Sequence, residues 1–320
     1  MKTALFCSMI VLGVMPLTAS AEEVSSSFSW GAVTFQPRAY IGYADYELKS
    51  STFTFTPAKG DPYTSSLKFN AQGNDKIPLS GFIGGIGGTI ATGQFFGDFY
   101  YQSTLNETAY SNMEEQKGDV VYRYGDVDAK HYDWALSLGY MITEQWSVFA
   151  GYKSGKTNWD QSYNYNDPVS DLFHGSGSTD GKFEQNGPFL GTSYSFQIGP
   201  GALTFKIAYA YLDGEYEDNS QGKSYIIEPQ PVLYNQVVYL DGNSNAYSLG
   251  LSWTQSLTDN LGYSIGLNYH RYEFDLSGSG TLAGSVGGGF VITTPINGEI
   301  SSGTLTEELF TLTAAMTYRF

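Results

Sequence analysis

Two short groups of residues in this chain have the types and spacing of a hydrolytic site. The segment His174–Ser176 holds a histidine and a serine, residue types that can act as a general base and its nucleophile. The segment Asp126–Asp128 offers a carboxylate pair that could act with His270, the histidine we expect on the opposite side of the fold. His131 is the third histidine, and the three lie too far apart in sequence to form a metal-ligand motif. We therefore expect no metal and no cofactor, and we keep hydrolysis as an alternative function.

The elements that would position these residues are strands with a period of two. Apolar or aromatic residues recur at every second position, and Gly (38), Tyr (26) and Phe (20) are abundant, as is typical of β-barrels. The clearest alternation is Tyr132, Trp134, Leu136, Leu138, Tyr140 and Ile142. We predict ten such strands, at 33–46, 79–91, 95–105, 132–142, 146–155, 190–198, 203–211, 247–253, 263–269 and 309–320.

The connections between these strands alternate between short and long. Four are tight turns, at 92–94, 143–145, 199–201 and 258–260. Five are long and polar, at 48–78, 106–130, 156–187, 213–243 and 275–303. This pattern predicts an all-β fold: a ten-stranded antiparallel transmembrane up-and-down β-barrel with short periplasmic turns and five long extracellular loops. The alternative is a secreted β-sandwich, but the long strands leave no residues for its compact core.

The beginning of the chain has the pattern of a secretory signal. Lys2 precedes a short apolar run, and small residues at 19–21 form a cleavage site. We expect residues 1–21 to be removed and residues 22–320 to form a single outer-membrane β-barrel domain. Cys7, the only cysteine, would leave with the signal, so disulfide and thiolate chemistry are excluded.

The net charge excludes one class of partner. Without Lys2 the basic residues fall from 16 to 15 against 32 acidic ones, a formal charge of −17. Such a chain repels the phosphate backbone, so we expect no nucleic acid partner. The acidic residues concentrate in the predicted loops at 106–130 and 213–243, where no calcium-loop motif occurs. A solvated surface and an acidic vestibule both remain open as interpretations.

The last three residues, Tyr318-Arg319-Phe320, resemble the carboxy-terminal insertion signal of Gram-negative outer-membrane proteins. The resemblance implies export to the cell outer membrane. It also implies contact with the outer-membrane assembly machinery through Tyr318 and Phe320. The surrounding partners would then be outer-membrane lipid and lipopolysaccharide.

The residues that alternate with the apolar set would face the barrel interior. Many of them are small or hydroxylated, which predicts a polar, hydrated lumen with few bulky groups to plug it. Charged side chains there are tolerable only in water or in ion pairs. They could form a network that stiffens the barrel, or a constriction that selects small polar solutes. The candidate pore-lining residues are Arg38, Asp98, Lys206 and Arg319 near the middle of the membrane and His131, Asp133, Lys153 and His270 toward the loops.

Two enzyme families on this architecture set the alternatives. The strand count and mature length resemble the omptin proteases, whose motif of a carboxylate pair and a distant Asp-x-His is not matched here. The spacing of His174–Ser176 resembles the catalytic pair of outer-membrane phospholipases and lipid deacylases, without their following Asn-Gly. The leading hypothesis is therefore a non-enzymatic barrel, either a narrow porin-like diffusion channel or a surface-loop display protein. The alternative is an omptin-like protease with a rearranged site, or a lipid-acting hydrolase.

Overall fold

The computed structural model describes most of the chain from residue 33 to the end. The described residues are 33–50, 53–58, 69–71, 76–105, 108–111, 122–166, 174–227, 230–286 and 296–320. They contain no helix that is long and apolar enough to cross a membrane.

Ten antiparallel strands in the described residues close into a barrel. Neighbouring barrel strands pair in chain order, and β13 returns to pair with β1 from Arg38–Thr317 to Ser50–Leu305. The fold class predicted from the sequence is thereby confirmed. The barrel strands are β1 Thr34–Ser50, β4 Lys76–Thr92, β5 Phe95–Thr104, β7 Tyr122–Met141, β8 Trp146–Asn166, β9 His174–Ile198, β10 Gly201–Ile227, β11 Gln230–Ser256, β12 Leu261–Val286 and β13 Ile296–Tyr318. Three short strands flank them: β2 Phe53–Pro57, β3 Phe69–Ala71 and β6 Thr108–Ser111.

The outer surface of the barrel carries an apolar band next to the short turns. On β10, Phe205, Ile207 and Tyr209 point outward and are exposed, while the residues between them point inward. Above Tyr211 the outward positions become acidic, beginning with Asp213. An exposed apolar band that ends in tyrosines on one side is what a lipid-facing surface requires. We call the two ends of the barrel the short-turn end and the long-loop end.

The strands continue beyond this band, which corrects our prediction of long loops. β10 and β11 have 27 residues each and stay paired through most of the 213–243 segment that we expected as a loop. β8, β9 and β12 likewise extend into the expected loops. The physical reason is that the period of two persists there: Leu212, Val238 and Leu240 point inward and are buried, while polar residues point outward.

Glycines in the wall make room for inward aromatic rings. Phe96 lies directly opposite Gly139, and a side chain at Gly139 would collide with the Phe96 ring. Trp159 of β8 covers Gly181 of β9 in the same way. Such pairs shield the glycine backbone and fix the register of neighbouring strands. They also explain much of the glycine content of these strands.

The turns at the short-turn end have local causes. Gly93 and Gly199 both have φ of 56°, a left-handed conformation that favours glycine. In the other two turns the Thr143 hydroxyl accepts from the backbone N–H of Trp146, and the Thr258 hydroxyl accepts from that of Leu261. All four turns lie where the sequence predicted them.

Candidate functional site

The lower interior of the barrel contains an ion pair. The two terminal nitrogens of Arg38 donate to the two carboxylate oxygens of Asp98 at 2.7 and 2.8 Å. The Thr89 hydroxyl donates to the same carboxylate. β1 and β5 position the pair because both residues occupy inward places in the alternation. A bidentate pair of this kind is among the stronger polar interactions in proteins.

A second group surrounds Lys153 of β8. Its ammonium donates to the Tyr272 hydroxyl at 2.7 Å, although three strands separate β8 from β12. The Tyr272 hydroxyl and the Ser248 hydroxyl lie 3.0 and 2.7 Å from Nδ1 of His270. This chain of hydrogen bonds crosses the interior and fixes the orientation of the His270 ring.

A third group lies closer to the long-loop end. Thr157 of β8 lies 2.8 Å from the Tyr46 hydroxyl of β1 and 2.9 Å from Nδ1 of His131. Nearby, the Gln185 amide donates to both carboxylate oxygens of Glu307 at 2.8 Å, across the three strands between β9 and β13. Side chains from opposite walls thus touch at this level.

An apolar layer fills the interior above these groups. Nine of the ten barrel strands contribute buried residues to it in the described part of the chain. Phe183 of β9 and Phe274 of β12 meet edge to face, with ring centroids 5.0 Å apart. The layer contains Leu48, Leu79, Val127, Trp159, Phe183, Leu212, Leu240, Phe274, Leu276 and Leu305, among others. This layer contradicts our expectation that few bulky groups would occupy the lumen.

Below this layer the interior holds two cavities. The upper one, of about 120 Å³, is lined by Lys153, His270 and Tyr272 together with the Arg38 ion pair. The lower one, of about 50 Å³, extends to the turn at 143–145 at the short-turn end. Four residues line both cavities: Asp98, Ser137, Phe149 and Lys206. The lower interior therefore combines polar and apolar side chains, and it opens toward the short turns.

The structure places seven of the eight predicted lining residues inside the barrel. Arg38, Asp98 and Lys206 group at the lower level, and Asp133, Lys153, His131 and His270 lie above them. Gln102 donates to Asp133 at 3.2 Å, and Nε2 of His131 lies 3.9 Å from the same carboxylate.

Arg319 does not belong to this set. It follows the last residue of β13 and is exposed at the short-turn end, where its backbone N–H donates to the Asn260 carbonyl at 2.7 Å. Our prediction that it lies near mid-membrane is wrong. The strand ends one residue before Arg319, so its place in the alternation no longer sets the direction of its side chain.

The candidate hydrolytic residues are not brought together. Asp128 is exposed on the outer face of β7, whereas His270 points into the interior of the barrel. The wall of the barrel therefore separates them. The side chains of Asp126 and His174 lie outside the described residues. Among the residues that the structure describes, no group of three or more His, Cys, Asp or Glu side chains has a geometry that could hold a metal ion.

Sequence reasoning missed several residues of the interior network, among them Tyr46, Gln185, Tyr272 and Glu307. All four lie in segments beyond the apolar band or at its upper edge. The available signal was the alternation around Phe274, where Tyr272, Phe274 and Leu276 are buried between charged neighbours. Tyr46 ends a predicted strand and Gln185 lies in a predicted loop, whereas Tyr272 and Glu307 lie between the predicted strands and loops.

Comparison with known proteins supports the architecture and leaves the function open. The chain matches no family model and no curated protein. It is similar in structure to the outer membrane protease OmpT from Escherichia coli, with a TM-score of 0.60 and 13% identity over 92% of this chain and 99% of that one. A Pseudomonas aeruginosa FadL homologue (TM-score 0.35, 10% identity, 89% and 90% covered) and the Ralstonia pickettii toluene transporter TbuX (0.36, 11%, 91% and 90%) are also similar. At these identities the likeness concerns the fold alone. The chain is a closed ten-stranded antiparallel β-barrel of the outer-membrane type.

Proposed function

We propose that this chain is a non-enzymatic outer-membrane barrel that presents its long-loop end at the cell surface. The observation that carries the proposal is the filled interior: the apolar layer and the hydrogen bonds across the barrel close the tube below the long-loop end. A diffusion channel of small polar solutes needs a water path through this layer. Of the two leading hypotheses from the sequence, the filled interior favours surface display over a porin-like channel.

The orientation and partners follow from the same proposal. The signal at residues 1–21 directs export, the short-turn end faces the periplasm, and the apolar band contacts outer-membrane lipid and lipopolysaccharide. Tyr318 and Phe320 are exposed at the short-turn end with their ring centroids 4.7 Å apart. That position suits recognition of the chain terminus by the assembly machinery.

The charge of the outer surface above the band supports display in water. Asp128, Asp160 and Asp180 lie side by side on three adjacent strands, all exposed. Glu215 and Asp241 are likewise exposed and directly opposite each other. Like charges in register destabilise a sheet unless solvent screens them. This part of the barrel is therefore suited to an aqueous exterior.

Planar-bilayer conductance tests the proposal. We expect no stable conductance from the refolded parent protein. A variant with both Phe183→Ala and Phe274→Ala should conduct, because it removes two rings that meet across the tube. The Tyr239→Ala variant, altered on the exposed outer face, serves as control and should behave as the parent does. A steady conductance in the parent would support the channel instead.

Adhesion of cells that express the barrel tests display itself. Replacing residues 220–236 by a short turn removes the tip of the β10–β11 hairpin and keeps the lower pairs in register. We expect attachment to a surface or ligand to fall while the amount of barrel in the membrane is unchanged. For the enzymatic alternative, cleavage of a peptide library that disappears in His270→Ala would overturn the proposal.

A further inference from the structure

Lys206 is a cation of the lower interior that has no carboxylate partner among the residues that the structure describes. It occupies an inward position of β10 between Thr204 and Ala208. Its ammonium lies 4.8 Å from the centroid of the Phe149 ring. No carboxylate oxygen of the described residues lies within 4.0 Å of it. A lysine in this position contrasts with Lys153, which donates to Tyr272.

The nearest carboxylate in the same cavities, Asp98, is already engaged. Both of its oxygens accept from Arg38, and the Thr89 hydroxyl donates to one of them. A bond from Asp98 to Lys206 would have to weaken a bidentate pair whose arginine side chain is only 1% exposed. The ion pair is neutral as a whole, so the charge on Lys206 stays uncompensated by it. An isolated charge at membrane depth is costly unless water or a counter-ion reaches it.

The cavities provide a place and a route for a counter-ion. Lys206 and the Ser137 hydroxyl line both cavities, and the lower one reaches the turn at 143–145. The upper cavity of about 120 Å³ has room for several water molecules. That space suits a small ion with part of its hydration shell. The apolar layer above closes the route from the long-loop end.

We propose that this cavity binds a small monovalent anion, of the size of chloride, bromide or nitrate, at the ammonium of Lys206. The anion enters from the short-turn end. Phe149 forms an apolar wall, and Ser137 is one of the hydroxyl residues of the lining that can donate to the ion. The proposal is independent of surface display, because a conducting barrel with the same cavity would bind the ion as well.

Thermal unfolding of the refolded mature barrel in detergent tests the site. The midpoint Tm is measured in sodium chloride and in sodium gluconate at equal ionic strength, since gluconate is a much bulkier anion than chloride. We expect Tm to rise with chloride concentration, because a ligand that binds only the folded state stabilises it. In Lys206→Met the rise should disappear, and in Lys206→Arg it should remain.

The control variant and a second measurement keep the test decisive. Lys223→Met removes an exposed lysine from the same strand and should keep the chloride-dependent rise. Crystals grown in sodium bromide should show an anomalous peak beside Lys206 in the parent, and no peak in Lys206→Met. Equal chloride dependence in the parent and Lys206→Met, or a bromide-free cavity in the parent, would overturn the proposal. If Lys206→Met does not fold, the proposal is tested by the chloride dependence of Tm in the parent and in Lys206→Arg, and by the bromide peak in the parent.

Discussion

Phe183 and Phe274 pack edge to face with ring centroids 5.0 Å apart, although two strands lie between β9 and β12 in the wall. The contact therefore crosses the interior and is not a neighbour contact within the sheet.

We predict that Phe274→Ala lowers the free energy of unfolding by about 3–5 kcal/mol, because it leaves a cavity in a fully buried layer. Urea unfolding in lipid vesicles measures the change. Tyr239→Ala, altered on the exposed outer face, should change the value by less than about 0.5 kcal/mol. Similar losses in the two variants would contradict a packed layer.

The ion pair between Arg38 and Asp98 gives a second prediction. Asp98→Ala should destabilise the barrel by about 3–5 kcal/mol, because it leaves a buried guanidinium without its carboxylate. The same vesicle unfolding assay measures the loss. The double variant Asp98→Ala with Arg38→Met should recover most of it, since the guanidinium is removed together with its carboxylate. A double variant no more stable than Asp98→Ala alone would show that the pair is not the cause.

The glycine–aromatic pairs give a third prediction with a matched control. Gly139→Ala should cost about 1–3 kcal/mol, because the new methyl group collides with the Phe96 ring in a packed interior. Gly97→Ala, on the outer face of the neighbouring strand, should cost much less, because its nearest neighbour would be a Leu138 methyl group at 3.5 Å. The unfolding free energies of the two variants measure the difference. Equal losses of stability in Gly139→Ala and Gly97→Ala would show that the Phe96 ring does not need the space that Gly139 leaves open.

The alternation of the sequence was sufficient to predict the membrane part of the fold. Segments such as 132–142 combine outward aromatics with small inward residues, so both faces identify the strand. The same reasoning placed Arg38 and Asp98 in the interior. It did not place Arg319, which follows the end of its strand and is no longer constrained by pairing.

The upper half of the interior was not predicted, for two physical reasons. The outward residues there are acidic, as at Asp213 and Glu215, so the segments have the composition of loops. The contacts themselves join strands that are distant in sequence, such as Tyr46 with Thr157 and Gln185 with Glu307. Which inward residues meet across a barrel depends on how the closed sheet is staggered, and no local pattern encodes that stagger.

The chain terminus gives a fourth prediction, which rests on the proposed recognition by the assembly machinery. Phe320→Ala should reduce the amount of folded barrel in the outer membrane of expressing cells several-fold. Its unfolding free energy after refolding in detergent should change little, because the Phe320 ring is exposed and loses only surface ring contacts, with Phe35 at 6.2 Å and with Tyr318 at 4.7 Å. Immunoblots of membrane fractions and urea unfolding give the two values. If the refolded Phe320→Ala variant lost stability in proportion to its lower amount in cells, the effect would come from a destabilised barrel and not from recognition by the assembly machinery.

One-sided access to the interior is the central claim, and cysteine labelling tests it most directly. Ser137→Cys places a thiol between the two lower cavities. A membrane-impermeant maleimide is added to intact cells, and again after the outer membrane has been opened to admit it to the periplasm. Parent cells provide the blank, and Asp213→Cys, exposed on the outer face just above the apolar band, reports access from outside. We predict that Ser137→Cys is labelled only after the outer membrane is opened, whereas Asp213→Cys is labelled in intact cells. Labelling of Ser137→Cys in intact cells at the rate of Asp213→Cys would show an open path through the apolar layer and contradict a sealed barrel.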